Sequence, residues 1–391
     1  MSQPSSGTPV PDAPNGQLRW DEFRRQMPVA RHWAYLDHAA VSPLPDPAAA
    51  AIVHWAQQAA HDGSLHWPQW DLELDELRRS VADMLHASVT EIALLHSTTE
   101  GVNLVAEGFP WQPGDNVVTL ADEFPTNQYP WLNQAGRGVE TRRVPTDDGR
   151  VDLHRLEAAC DARTRIVSIS WVGYASGWRN DLDAVAEIAH RHGALFFVDA
   201  IQGLGVFPLD LRRTPIDFLA ADGHKWMLGP EGAAIFFLRH EHLARLHPLG
   251  IGWNSVVQSG DFGRIDLVLR NAAQRYEGGS QNMVGFLALR ASLGLLNEFG
   301  FDAISARVLQ LTDLARRRLA ERGACIKSPA DEGHRSGIVL FEASGQDPHE
   351  IRSRCLRQRV ALSCRAGYLR ISPHAYNNAE DIERMVAAVM G

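Results

Sequence analysis

The amino-acid sequence predicts an α/β protein, a doubly wound and mainly parallel sheet followed by a smaller α+β unit. Two patterns predict it. Short, continuous apolar runs (IALL at 92, NVVTLA at 116, TRIVSISWV at 164, ALFFVDA at 194, DFLAA at 217, GAAIFFL at 232) alternate with helical stretches such as 182–192. Strands buried on both faces of a parallel sheet read this way. After about residue 279 the pattern shifts to long helices over 283–299 and 303–322, strands GIVLFEA at 337 and YLRIS at 368, and a closing helix from 379. A chain of 391 residues exceeds one hydrophobic core, so a large unit over 31–275 and a small one from 18–30 and 276–391 are expected.

In chain order, residues 1–17 are rich in Ser, Pro and Gly, lack an apolar signal core, and read as a disordered lead-in. YLDHAAVSPLP over 35–45 reads as a loop. Asp46 and Pro47 supply a cap and a first helical position, and the helix they open runs to Gly63. A second helix over 69–86 places Leu72, Leu77, Val81 and Leu85 on one side.

Composition excludes other classes of function. No stretch approaches the roughly 20 apolar residues that span a bilayer, so no membrane partner is expected. A net charge of -9 without a clustered basic face argues against nucleic acid. The four cysteines (Cys160, Cys325, Cys355, Cys364) form no CxxC pair, so neither a metal site nor a disulfide framework is expected, and a reducing cytoplasm fits.

In doubly wound sheets, ligands bind beyond the carboxyl ends of the strands, so chemistry is sought there. The stretch around which the chain is organised is DFLAADGHKWMLG over 217–229, where Lys225 follows one apolar strand and precedes another. A lysine held in apolar surroundings has a lowered pKa, and its free amine can bond an aldehyde. After IALL, Ser97, Thr98 and Thr99 open a helix, offering hydroxyls and N–H groups to an anion; Ser97 and Glu100 equally satisfy a capping box. ALFFVDAIQGLG puts Asp199 at a strand end with Gln202 close behind, a carboxylate and an amide suited to a protonated ring nitrogen and a phenolic oxygen.

Together STTEGVN, VDAIQGLG, ADGHKW, RYEGGSQN and LRISPHAYNN resemble the class V aminotransferase family of fold type I pyridoxal-phosphate enzymes, which includes cysteine desulfurases, selenocysteine lyases, kynureninase and isopenicillin N epimerase. The resemblance implies pyridoxal 5'-phosphate on Lys225, Asp199 on its ring nitrogen and Gln202 on its ring hydroxyl. It also implies Thr98, Thr99 and His224 on the phosphate, Ser280 reaching across from the second subunit of a homodimer, and Arg370 on the carboxylate of an amino-acid substrate. Arginine's planar fork suits that last task.

Departures from the family pattern matter as much. Where desulfurases carry a histidine over the ring after an acidic residue, this chain has Phe124 after Glu123, and phenylalanine transfers no proton. Tyr174 stands where an asparagine is usual, and Asp222 replaces a phosphate-binding serine, so Asp222 is expected to point away or be capped. Only six positions separate Cys364 from Arg370, too few for the desulfurase loop with its nucleophilic cysteine. The expected reaction is therefore α-proton abstraction ending in transamination or epimerisation, on the isopenicillin N epimerase-like branch. A cysteine or selenocysteine C–S or C–Se lyase is the alternative, and a cofactor-holding protein without turnover is a third reading.

Overall fold

The computed structural model describes residues 14–343 and 345–391. The expected lead-in lies outside the described residues up to 13, and 14–17 belong to the first helix, Pro14–Arg25. That helix buries Trp20 and Phe23 against the molecule, with Phe23 stacked on Phe299 at 4.6 Å between ring centroids. No single helix among the described residues is long and apolar enough to cross a membrane.

The large unit is a seven-stranded sheet in the order Ile92–Leu95, Ala234–Leu238, Phe218–Asp222, Leu195–Asp199, Thr164–Ser170, Asn116–Leu120, Glu140–Val144. Only Ala234–Leu238 runs against its neighbours; every other adjacent pair is parallel. The apolar runs are continuous because both faces are covered. Ile92, Leu94, Val167, Ile169, Phe196, Val198 and Leu219 enter one core, and the alternating residues Ala93, Leu95, Ile166, Phe197, Phe218 and Ala220 enter the other. Glu140–Val144, the edge strand, is polar and half-exposed, which is why its sequence, ETRRV, gives no strand signal.

Asp46 is the first residue of the helix Asp46–Asp62 and not its cap: Pro45 holds the cap position without a side-chain bond, Pro47 lies in the first turn, and the helix ends at Gly63, which adopts φ 60°. Trp67–Leu85 buries Leu74, Leu77, Val81 and Leu85, whereas Leu72 is 57% exposed. The i, i+3, i+4 spacing explains the correction: Leu74, Leu77, Val81 and Leu85 share a face, and Leu72 lies off it. Asp181 caps Leu182–Arg191, accepting from the N–H of Ala184. Met283–Phe299 buries ten of its seventeen residues and packs on Asp46–Asp62 and Trp67–Leu85.

The small unit is a four-stranded sheet in the order Ser363–Arg365, Tyr368–Ile371, Val339–Glu342, Cys325–Ile326, packed on Phe301–Glu321, Pro348–Arg357 and Ala379–Met390. Its strands are antiparallel throughout. Residues 34–37, read as the start of a loop in the large unit, join this unit instead. Ala34–Tyr35 pairs in parallel with Val360–Ala361, and Asp37 bridges to Ser372. Two residues are too short a strand to be seen in sequence, yet the pairing carries Asp37 to the boundary between the two units.

Candidate active site

Leu195–Asp199 and Phe218–Asp222 are neighbours and run parallel, with Asp199 opposite Ala220, so their polar ends emerge at one edge. Asp199 is buried and accepts a 3.1 Å hydrogen bond from the Ile201 N–H. Burial pushes its carboxyl up to about 6, against that hydrogen bond and the charge of Lys225. Burial likewise pushes the Lys225 amine down to about 8; Asp199 opposes this and Arg370 adds to it. The loop carrying Lys225 is held close to Met283–Phe299. A Cβ on Gly223 would meet the Ala233 carbonyl oxygen and Leu289 Cδ1, both at 2.8 Å, so this position requires glycine, and one on Gly229 would displace Leu289 Cδ1 at 2.7 Å.

Next to Lys225, Trp226 is buried and its indole N–H donates to Gln202 Oε1 at 2.8 Å. The Gln202 amide nitrogen donates to Ala39 O at 2.9 Å. The amide orientation is thereby set: its carbonyl is committed, and the remaining N–H can only donate.

Thr98–Gly108 starts beside the end of Phe218–Asp222. The helix can lie this close because Gly101 has no side chain; a Cβ there would meet Ala220 Cβ at 2.7 Å. Ser97 caps the helix by accepting from the N–H of Glu100, while Glu100 reaches back to the N–H of His96 and not of Ser97, so the cap forms without the reciprocal bond of a capping box. Capping leaves the other first-turn N–H groups pointing out of the helix end. Thr98 Oγ1 accepts from the N–H of Asp222 at 2.9 Å, and Thr99 Oγ1 lies 2.9 Å from Thr126 Oγ1. Asp222 does not point away from this corner. Its Oδ1 approaches His224 Nδ1 at 2.8 Å, but without hydrogen-bond geometry, and both buried atoms lack a hydrogen-bond partner. An open helix end beside unsatisfied buried polar atoms fits a polar group that binds there.

Over this edge stand two aromatic rings. Phe124 is 45% exposed, 5.8 Å from Lys225 Nζ and edge-on to Tyr174 at 5.3 Å. The preceding Glu123 turns the other way into the sheet, where it accepts from the N–H and hydroxyl of Ser170. Burial raises its carboxyl to about 8.

Arg370 is 1% exposed. It donates through Nε to Ser363 Oγ at 3.2 Å, through Nη1 to Tyr174 O at 2.6 Å, and through Nη2 to Asp37 Oδ1 at 3.4 Å. Ser363 also donates to Asp37 Oδ1 at 2.8 Å. A guanidinium has five N–H donors, so this set holds the fork in place and leaves donors for a carboxylate. Burial lowers the Arg370 pKa to about 10, partly offset by Asp37.

Two candidate residues lie apart. Ser280 is exposed and lines a groove with His96, Glu100 and Gly250, without reaching Lys225 within one chain. Cys364 sits on the face of its strand opposite Ser363 and Arg370, packed against the small-unit core, its thiol donating to Pro348 O at 3.3 Å. Asp37, Ser363 and Trp226 escaped the sequence reading as site residues. YLDHAA carried a usable signal, since a carboxylate directly after an apolar start suits an arginine partner. A cleft of about 1080 Å³ lined by Asp83, Asp181, Asp210, Arg79 and Arg213 contains none of these residues.

The sequence profile of the family described as Aminotransferase class-V matches residues 34–385. A relative from Methanothermobacter thermautotrophicus, named a probable cysteine desulfurase, is 31% identical, covering 94% of this chain and 96% of its own. A solved apo structure of the cysteine desulfurase of Thermococcus onnurineus NA1 matches with a TM-score of 0.86 at 25% identity, over 95% of this chain and 97% of that one. The cystine C–S lyase C-DES, solved with its product cysteine persulfide, has the same fold, with a TM-score of 0.87 at 22% identity over 93% and 99%.

Proposed function

The chain belongs to the class V aminotransferase family and is a pyridoxal-phosphate enzyme, and on that premise we propose that it is a C–S lyase acting on a sulfur-bearing α-amino acid, without a protein thiol in the reaction. The relatives named cysteine desulfurase favour C–S cleavage over the transamination or epimerisation expected from sequence. The observation that carries the second half is the placement of Cys364, which faces the small-unit core while its neighbours Ser363 and Arg370 face the site.

The residues take the following roles. Lys225 is the attachment point, Asp199 pairs with the ring nitrogen and Gln202 donates to the ring oxygen. Thr98, Thr99, His224 and the open helix end hold the phosphate. Phe124 and Tyr174 cover the ring, and the free donors of Arg370 take the substrate carboxylate. When bound, pyridoxal phosphate supplies an electron sink next to the substrate Cα. Lys225 Nζ, with its pKa of about 8, is suited to take the proton from Cα near neutral pH. As the Cβ–S bond breaks, the same amine can return that proton to the departing sulfur, a task Phe124 cannot perform. The enzyme works as a homodimer with sites at the subunit boundary; the exposed apolar side chains Val257, Phe262, Ile265 and Leu267, close in sequence to Ser280, support this.

The test incubates purified holoprotein with sulfur amino acids and follows sulfide or persulfide, ammonia, keto acid and optical rotation in parallel. Release of sulfur with stoichiometric ammonia and keto acid is expected. Amino-group transfer to an added keto acid, or loss of optical rotation without sulfur release, would overturn the reading.

A further inference from the structure

Arg365 lies on the same hairpin as Arg370. Ser363–Arg365 and Tyr368–Ile371 are joined by Ala366 and Gly367, both at positive φ (49° and 81°), the conformation of a two-residue hairpin turn, and Arg365 pairs with Tyr368. Side chains alternate along a strand, so Arg365 shares the face of Ser363 and lies opposite Cys364. That face belongs to the site, because Ser363 Oγ meets both Arg370 and Asp37. The loop is too short to swing, so Arg365 and Arg370 are held on one face of the hairpin.

The partners of the two arginines differ. Arg370 has Asp37, Ser363 and the carbonyl of Tyr174. Arg365 has a 2.8 Å bond from Nη1 to the carbonyl of its own neighbour Cys364 and no ion pair among the described residues. Yet it is only half-exposed, and its positive charge adds to burial in lowering the pKa of Lys225 and Arg370. A substrate α-carboxylate would take up the free donors of Arg370. It would leave Arg365 half-buried with most of its fork unused, an arrangement that suits a second anionic acceptor.

We propose that Arg365 is a specificity-determining residue that binds an anionic group at the far end of the substrate side chain. This rests on the lyase reading for the sulfur but not for the binding itself. The substrate class is an S-substituted cysteine whose sulfur substituent ends in a carboxylate.

The experiment separates binding from cleavage. Sulfur-free ligands are titrated into holoenzyme by cofactor absorbance: L-glutamate against L-glutamine, and L-aspartate against L-asparagine. The wild type should bind each acid more tightly than its amide by about tenfold, the scale of one charge-assisted hydrogen bond. Arg365→Gln should lose that preference while binding the amides as before, and Arg365→Lys should retain part of it. Unchanged preference in Arg365→Gln, or equal loss for acids and amides, would overturn the proposal. Sulfur release from S-carboxymethyl-cysteine against S-methyl-cysteine then reports on the lyase reading alone: turnover of neither refutes cleavage and leaves the binding result standing.

Discussion

The site has two halves, each a buried basic side chain facing a carboxylate: Lys225 with Asp199 in the large unit, and Arg370 with Asp37 across the boundary to the small one. In the first half Asp199 ends one strand and Lys225 lies on the loop that follows its parallel neighbour, and a hydrogen bond from the Ile201 N–H fixes the Asp199 carboxylate. In the second, Arg370 and Asp37 are 333 positions apart and meet because a two-residue strand joins the small unit. The first is a local product of the sheet and suits a cofactor shared by many enzymes. The second depends on how the two units pack and has unused donors, so it is where substrate choice can differ.

The sharpest break of the first half is Lys225→Ala. It should abolish covalent cofactor attachment and lower turnover by at least about 10³-fold, within the range for losing a general base and covalent anchor. The chain has only two lysines, Lys225 and Lys327, and Lys327 is ion-paired with Glu342 on the surface. Borohydride reduction should therefore fix cofactor mass on the Lys225 peptide alone, and mass on the Lys327 peptide would remove the assignment. The attacking form is the neutral amine, so attachment to apoprotein should speed up as pH rises, with a midpoint near the lowered pKa of about 8.

Asp199→Asn should be next in size, lowering turnover by about 10²-fold as a charge-assisted bond to the electron sink becomes neutral. It has a second readout. The Asp199 charge raises the Lys225 pKa against burial, so its removal should move the attachment midpoint below pH 8. A midpoint unchanged or raised would mean that the two groups do not face each other.

These two predictions concern residues legible in the sequence, and the reason is physical. Lys225, Asp199 and Gln202 follow buried strands whose apolar runs are unmistakable, and strand ends are where doubly wound sheets place chemistry. Asp37 was not legible as a partner of Arg370, because its strand is too short to show a pattern. Leu72 was placed on the buried face of its helix because a single Leu at nearly the right spacing looks periodic. Trp226 shows in the sequence only as the residue after Lys225, because its hydrogen bond to Gln202 depends on packing: a Cβ on Gly337 would meet the indole at 2.3 Å. Such close approach leaves no trace in periodicity.

Trp226→Phe sharpens the comparison by weakening the cofactor half without touching its charges. The buried carbonyl of Gln202 would lose its only donor among the described residues, a cost of about 1–3 kcal/mol, and its amide could turn. Cofactor release should quicken by about tenfold, measured by absorbance on dilution, with the pH midpoint of attachment still near 8. Equal retention would show that the bond to Ala39 O alone holds Gln202 in place.

The smallest effect is expected on the hairpin itself, at Cys364, and it separates a protein-thiol mechanism from the one proposed. A sulfur-transferring cysteine must reach the substrate and ionise. The Cys364 thiol points away from Arg370, its strand ends in a two-residue turn that cannot swing it round, and burial raises its pKa. Cys364→Ser should therefore leave sulfur release within a few-fold of the wild type, with a stability change under about 1.5 kcal/mol, as for a near-isosteric substitution in a half-buried site. Loss of sulfur release in a folded, cofactor-loaded Cys364→Ser protein, together with a persulfide on Cys364 of the wild type, would mean that this strand rearranges during turnover. The two halves of the site would then have exchanged character, with the rigid half holding the cofactor and the hairpin supplying chemistry as well as specificity.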